Sequence, residues 1–351
     1  MHVMIMAGGA GTRFWPLSRR HRPKQLLSLF GDRPMIAETV ERFDGLVEPD
    51  AVWVVTNAAL AEPIREAVPA LPAGNVLLEP VGRNTAPCIG MAAMAVRAKA
   101  GAETVLAVFP ADHFIRDLDG FRRTVETAAK AAAEPGVIVT IGIEPTRPET
   151  GYGYIRRAAS DETAAPVDAF VEKPDRETAL SYLADGNYLW NAGMFFARVD
   201  TMLDEMARQL PALRAQLDEV DAALQAGDDD ALAAVFERIA SISIDYGVME
   251  GAENVRVVPA SFGWSDVGHW DALPDVADTD EDGNVTMGDV VAIDCKNSVL
   301  IGHDARVLAA VGLDHLVVVD SEDAVLVAPR HRVQQVRDIV ASLRKRSGTL
   351  T

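Results

Sequence analysis

Three glycines, Gly8, Gly9 and Gly11, stand just before Thr12 and Arg13, and Pro23-Lys24-Gln25 follows on the same stretch. Glycine has no Cβ, so the backbone here can approach another group closely and turn its amide N–H groups toward an anion. Arg13 and Lys24 add two cations. This combination suits a phosphate. Two familiar phosphate patterns do not fit. A dinucleotide fingerprint needs a third glycine where Phe14 stands, and a P-loop needs a Gly-Lys pair, which the chain lacks. The glycines by themselves suit a plain turn between strand and helix equally well.

Other residues with chemical potential stand at the ends of apolar runs. Asp112 follows Thr104 to Phe109 in Pro110-Ala111-Asp112-His113; it is either a ligand group at a strand end or a helix cap. Glu79 closes a short apolar run and opens Pro80-Val81-Gly82-Arg83-Asn84-Thr85. Gly151 lies in a glycine- and aromatic-rich loop, Glu172 and Lys173 end another apolar run, and Asn191 sits in Trp190-Asn191-Ala192-Gly193. A carboxylate accepts hydrogen bonds from hydroxyls and an ammonium pairs with phosphate. On an ideal strand, however, neighbouring side chains point to opposite faces, so Glu172 and Lys173 would not share a pocket. Asp266 is either a turn residue or a ligand in an aromatic-flanked loop, Phe262-Gly263-Trp264-Ser265-Asp266.

The elements that must position these residues alternate. His2 to Met6 reads as a buried first strand, followed by helical spacing over 34–46, a strand at 51–56 and a helix over 58–68. A strand at 75–78, an alanine- and methionine-rich helix to about residue 100 and a strand at 104–109 continue the pattern. Such alternation predicts an α/β fold, a doubly wound, mostly parallel sheet of Rossmann-like type. In the order 3-2-1-4 the first and fourth strands are neighbours at the switch point, which places the glycine loop beside Asp112. Residues 199–240 read as polar helices that cover the site or support a subunit contact, which leaves a homodimer open. From Gly288 to Pro329 short β-branched runs alternate with turn residues and predict a small all-β module, either a meander or a β-helix, before a last helix over 332–345 and a polar tail. The expected boundary separates a catalytic domain, 1–282, from a β domain, 283–351.

The chain has 351 residues, 49% hydrophobic and 24% charged, with a net charge of -19. That charge argues against nucleic acid, whose backbone needs a basic face. Cys88 and Cys295 suggest reduced thiols and a cytoplasmic location rather than a disulfide framework. No signal-peptide layout and no membrane-length apolar run is present, so no membrane association is expected.

Ala7-Gly8-Gly9-Ala10-Gly11-Thr12-Arg13-Phe14-Trp15-Pro16-Leu17-Ser18 with Pro23-Lys24-Gln25 resembles the signature of the sugar-nucleotide pyrophosphorylases. The later motifs resemble the members of that family that make GDP-mannose. The resemblance runs along nearly the whole chain. It implies a nucleotide-diphospho-sugar transferase fold with a short left-handed β-helix. It also implies transfer of GMP from GTP to mannose 1-phosphate, with pyrophosphate released. In that reading Gly8, Gly9, Gly11, Thr12, Arg13 and Lys24 hold the triphosphate, and Asp112 and Asp266 hold Mg²⁺. Glu79, Arg83, Asn84 and Thr85 attend the nucleotide; Gly151, Glu172, Lys173 and Asn191 attend the sugar phosphate. Related transferases with another base or sugar, and a non-catalytic GDP-mannose sensor, are the alternatives. A further isomerase domain of the kind longer relatives carry is not expected.

Overall fold

The computed structural model describes residues 1–9, 11–346 and 350; Ala10 of the glycine loop and residues 347–349 and 351 of the polar tail lie outside the described residues. In chain order the elements are β1 (His2–Met6), α1 (Met35–Glu41), β2 (Val52–Asn57), α2 (Ala58–Ala67), β3 (Val76–Glu79), α3 (Thr85–Ala100) and β4 (Val105–Pro110). Then follow β5 (Phe114–Ile115), α4 (Leu118–Ala132), β6 (Ile138–Ile143), β7 (Tyr154–Arg157), β8 (Ala165–Val171), α5 (Arg176–Asp185) and β9 (Tyr188–Arg198). Helices α6 (Val199–Gln209), α7 (Pro211–Ala226), α8 (Asp229–Arg238) and the single turn α9 (Ile244–Gly247) precede β10 (Val255–Ala260) and β11 (Trp264–Ser265). The last elements are β12 (Val285–Met287), β13 (Val290–Ile293), β14 (Val299–Ile301), β15 (Leu308–Val311), β16 (Leu316–Asp320), β17 (Val325–Pro329) and α10 (Val336–Arg346).

The chain forms two compact units. The first comprises Met1–Gly8, Val40–Ala111 and Asp117–Trp264, and the second Gly9–Thr39, Asp112–Arg116 and Ser265–Thr351. This spatial division differs from the sequence boundary at 282, because Gly9, Gly11 and Lys24 group with the C-terminal strands.

In the first unit one sheet of nine strands runs β3-β2-β1-β4-β9-β6-β10-β8-β7, with β7 also paired to β9. The expected 3-2-1-4 order is present. Strands β8 and β9 run opposite to the others. Strand β9 was not expected in the middle of the sheet. It holds Trp190 to Phe196, and most of its side chains are buried, with a run of four from Met194 to Ala197, so it lacks the alternation that marks a half-exposed strand. Helix starts follow local chemistry: Asn57, Asp117, Asp175 and Asp228 each accept a backbone N–H from the first turn of α2, α4, α5 and α8. Helix α3 is buried on nearly every side among α6, α7 and the sheet, which is why its sequence shows no polar face.

In the second unit β12, β14 and β16 stack as a parallel ladder, with β17 antiparallel on its edge, and β13 and β15 form a second parallel ladder. This is a β-helix. Register aligns Val285, Val299 and Val317 in one buried column. Asp294, Asn297 and His315 take positive φ, a conformation that Asn, Asp and His tolerate better than most side chains. The same apolar core includes Phe14, Trp15, Leu27 and Leu29, so the residues after the glycine loop fold with the β-helix. The final α-helix starts at Val336, later than expected, because residues 330–335 form a tighter turn. Both cysteines are free and buried. Among the described residues no helix is long and apolar enough to cross a membrane.

Gly142 lies where β6 and β9 shift register. A Cβ there would meet Leu189 Cδ1 and Val257 Cγ2 at 2.7 Å and Leu189 Cβ at 2.8 Å. Gly142→Ala is expected to cost roughly 1–3 kcal/mol through overpacking, read as a lower urea midpoint. An unchanged midpoint would show that the sheet yields freely here.

Candidate active site

A cleft of about 380 Å³ in the second unit is lined by Gly11, Thr12, Arg13, Phe14, Lys24, Asp112, His113, Asp266 and Gly268. The segments that carry them leave β1, leave β4 and follow β11. Strands β1 and β4 are paired neighbours, so the first two segments start side by side.

Lys24 organises the cleft. It is 4% exposed, and its ammonium donates to Asp112 O at 2.6 Å, Asp112 Oδ2 at 3.1 Å and Asp266 O at 2.5 Å. Three sequence-distant segments thus meet on one charge. A buried ammonium must have its donors satisfied, and here the main-chain and carboxylate oxygens of residues 112 and 266 satisfy these. Burial alone would raise the Asp112 carboxyl. The Lys24 ammonium beside it, together with His113, outweighs that and holds it below its ordinary value. Asp266 Oδ1 accepts the N–H of Gly268 at 3.1 Å, so the carboxylate also shapes its own turn. Arg13 is exposed on the cleft, and among the described residues it has no ion-pair partner.

The glycines have separate tasks. Gly11 has φ 53°, and a Cβ there would lie 2.3 Å from the Lys24 backbone nitrogen. Its close approach is to this chain's own Lys24 segment. Around Gly9 a Cβ would meet nothing within 4 Å. Gly8, in the first unit, faces Glu79, whose Oε2 lies 3.3 Å from the position of a Cβ. Glu79 is 6% exposed, its Oε1 has no hydrogen-bond partner, and burial pushes its carboxyl up to about 7.

Arg83, Asn84 and Thr85 have structural work that sequence alone did not reveal. Arg83 donates through Nε to Phe236 O at 2.8 Å and through Nη2 to Glu237 O at 2.7 Å, at the end of α8. Asn84 caps α3 by accepting the Thr85 N–H, and Thr85 Oγ1 accepts the N–H of Ile244 at 2.8 Å. Their polar side chains thus fasten α8, α3 and α9 together.

A second cluster in the first unit joins Glu172, Lys173 and Asn191. Strand β8 ends at Val171, and Lys173 takes φ 47°. That left-handed turn removes the strand alternation and lets Lys173 Nζ pair with Glu172 Oε1. The expectation that these neighbours point apart is thereby corrected. Glu172 Oε2 is buried without a partner, 2.5 Å from where a Cβ on Gly153 would sit. Gly151 is exposed nearby in sequence, its N–H held by Glu149 Oε1 at 3.0 Å. Sequence reasoning missed Asp245, which accepts a hydrogen bond from Asn191 Nδ2 at 2.9 Å. Burial and the neighbouring Glu172 charge push its carboxyl up to about 6. The only local signal is an acidic residue in a capped turn, Ser243-Ile244-Asp245-Tyr246, which does not by itself point to a site.

The comparisons with known proteins agree with one another. A family profile described as Nucleotidyl transferase matches residues 2–283, and one described as MannoseP isomerase/GMP-like beta-helix domain matches residues 288–343. The chain is 44% identical over 350 residues to the xanthan biosynthesis protein XanB of Xanthomonas campestris pv. campestris strain B100, spanning 97% of this chain and 73% of that protein. It is 42% identical over 356 residues to a mannose-1-phosphate guanylyltransferase of Salmonella montevideo, spanning 97% and 73%. A crystal structure described as mannose-1-phosphate geranyltransferase from Thermus thermophilus superposes with a TM-score of 0.89 at 39% identity, covering 98% of this chain and 99% of that one.

Two outcomes follow from the site. Lys24→Ala is expected to cost roughly 1–3 kcal/mol, the scale for buried hydrogen-bonding groups left unmade. It should also raise the Asp112 carboxyl, since burial is then opposed mainly by His113 without the Lys24 ammonium; thermal denaturation and an NMR titration of Asp112 read both. An Asp112 titration matching wild type would separate the two groups. For Glu79, the folded state holds its proton up to about pH 7 while the ordinary value is 4.5, so stability falls as pH rises between the two. Glu79→Gln should therefore stabilise the ligand-free protein above pH 7, by on the order of 3 kcal/mol, and leave it unchanged near pH 4. Parallel pH curves for the two proteins would refute the raised carboxyl.

Proposed function

Because the chain belongs to the nucleotidyl transferase family, we propose that it transfers GMP from GTP to mannose 1-phosphate, forming GDP-mannose and pyrophosphate. The observation that carries the reading is the Lys24 cleft: Arg13 without an ion-pair partner among the described residues, beside two carboxylate-bearing segments tied to one buried ammonium. A phosphate oxygen of the sugar phosphate attacks the α-phosphorus in line, and pyrophosphate leaves on the opposite side. Catalysis is then positioning plus neutralisation of charge.

Arg13 pairs with the triphosphate, and the open face at Gly9 admits its oxygens. Lys24 acts on the phosphates through the residues it holds, fixing Asp112 and Asp266. Those two carboxylates suit Mg²⁺, which takes one or two carboxylates and completes its shell with water and phosphate oxygens. When bound, Mg²⁺ supplies positive charge at the phosphates. Asp112, held low by Lys24, stays ionised as such an ion requires. Glu79 offers its unpartnered oxygen to the N1–H and 2-amino group of guanine, donors that adenine lacks on that edge. Glu172 accepts from sugar hydroxyls, Asn191 donates to them, and Lys173 turns to the sugar phosphate.

The test is pyrophosphate release from a matrix of nucleoside triphosphates and sugar 1-phosphates, with and without Mg²⁺. GTP with mannose 1-phosphate should lead, and equal rates with another pair would reassign the substrates. Asp112→Asn and Asp266→Asn are each expected to lose most turnover, and the double variant should lose much less than the product of the two, as groups that act as a unit do. Independent, multiplicative losses with wild-type Mg²⁺ dependence in Asp266→Asn would leave Asp266 as a turn residue only.

A further inference from the structure

The Asn191 amide is held from both ends. Its Oδ1 accepts the N–H of Gly193 at 3.0 Å, and its Nδ2 donates to Asp245 Oδ1 at 2.9 Å. Only one orientation satisfies both contacts. A flipped amide would set Oδ1 against the Asp245 carboxyl and an NH₂ against the Gly193 N–H. The Gly193 N–H belongs to the same strand two residues away, and Thr140 Oγ1 reaches Oδ1 only at 3.5 Å, so Asp245 is the close side-chain partner of the amide. The backbone N–H of Asn191 is fixed separately, on Gly153 O at 2.8 Å.

Asp245 is itself carried by a stiff support. It sits on α9, where Ser243 caps the turn by accepting the N–H of Tyr246. Ile244 N is bolted to Thr85 Oγ1, Ile242 N donates to Arg83 O at 3.2 Å, and Ala86 N donates to Ile242 O at 3.1 Å. The start of α3 therefore sets where Asp245 stands. Burial beside Glu172 is costly for an acidic group here, as its carboxyl at about 6 shows. An ordinary surface turn residue would not be placed there.

We propose that Asp245 is a positioning residue for the sugar-phosphate subsite: it locks the Asn191 amide so that the second Nδ2 proton, and not an oxygen, faces the sugar hydroxyls. This rests on the proposed function for the identity of the sugar. The effect of Asp245 passes through Asn191, so what matters is an acceptor oxygen at this position and not its charge.

The test compares Asp245→Ala with Asp245→Asn, which keeps an acceptor oxygen on a side chain of the same size. Asp245→Ala is expected to raise the KM for mannose 1-phosphate about ten-fold or more, the effect of one lost hydrogen bond, with the KM for GTP unchanged. Asp245→Asn should restore most of that loss. In the ligand-free protein the Asn191 side-chain amide resonances should move in Asp245→Ala and stay near wild type in Asp245→Asn. If both variants lose equally, the charge acts directly on the ligand and the inference falls. It falls too if the two KM values rise together, or if the Asn191 resonances do not move in Asp245→Ala. Should the wild-type protein leave mannose 1-phosphate unused, the functional reading fails, while the amide resonances still decide whether Asp245 holds Asn191.

Discussion

A buried ammonium with three oxygen acceptors is the constraint on which the phosphate cleft depends. At 4% exposure the donors of Lys24 must be met inside the protein, and the groups that meet them come from residues 112 and 266. The requirement is mutual. The glycine loop must carry Lys24 inward, and Gly11 must stay without a Cβ to let the two stretches of backbone touch. Phe14 and Trp15 anchor the same loop in the β-helix core, with Trp270 Nε1 donating to Trp15 O at 3.0 Å and the Phe14 ring edge-on to Trp270. The β-helix is thus part of what holds the signature loop in shape.

Three carboxyls show how one physical cost resolves in opposite ways. Asp112, Glu79 and Asp245 all have burial as the largest influence, and burial always disfavours the charged form. Beside Lys24, Asp112 ends below its ordinary value. Glu79 has no cation against it and rises. Asp245 has the Glu172 charge on one side, with Asn191 and Lys173 only partly offsetting it, and rises as well. Cation placement, and not depth alone, therefore separates an ionised carboxylate suited to a metal from carboxyls poised to accept from neutral donors.

The α/β alternation and five of the six short C-terminal strands, all but β12, were legible because they rest on local periodicity and turn chemistry, and the 3-2-1-4 start of the sheet follows from that alternation. The nearness of Asp112 to the glycine loop was legible because the switch-point rule converts strand order into proximity, whereas Asp266 was joined to them only by the family resemblance. Strand β9 was not legible: buried on both faces, it presents no period to read. Nor was the pairing of Glu172 with Lys173, since it depends on a left-handed Lys173 that no residue type announces. Arg83 and Thr85 were read as groups for a ligand, and their side chains face neighbouring helices instead. A donor looks the same in sequence whether its acceptor is a nucleotide or the carbonyl of Phe236.

The sequence by itself determined the element order, the family signature and the supply of phosphate-, metal- and hydroxyl-binding side chains, because these are carried by neighbours along the chain. Tertiary structure alone decided which of them are already engaged. It buried Lys24 and left Arg13 exposed on the cleft, raised Glu79 and Asp245 while lowering Asp112, and joined Asp245 to Asn191. Those outcomes are set by desolvation and by charges brought together from distant segments, and neither quantity is defined until the chain has folded.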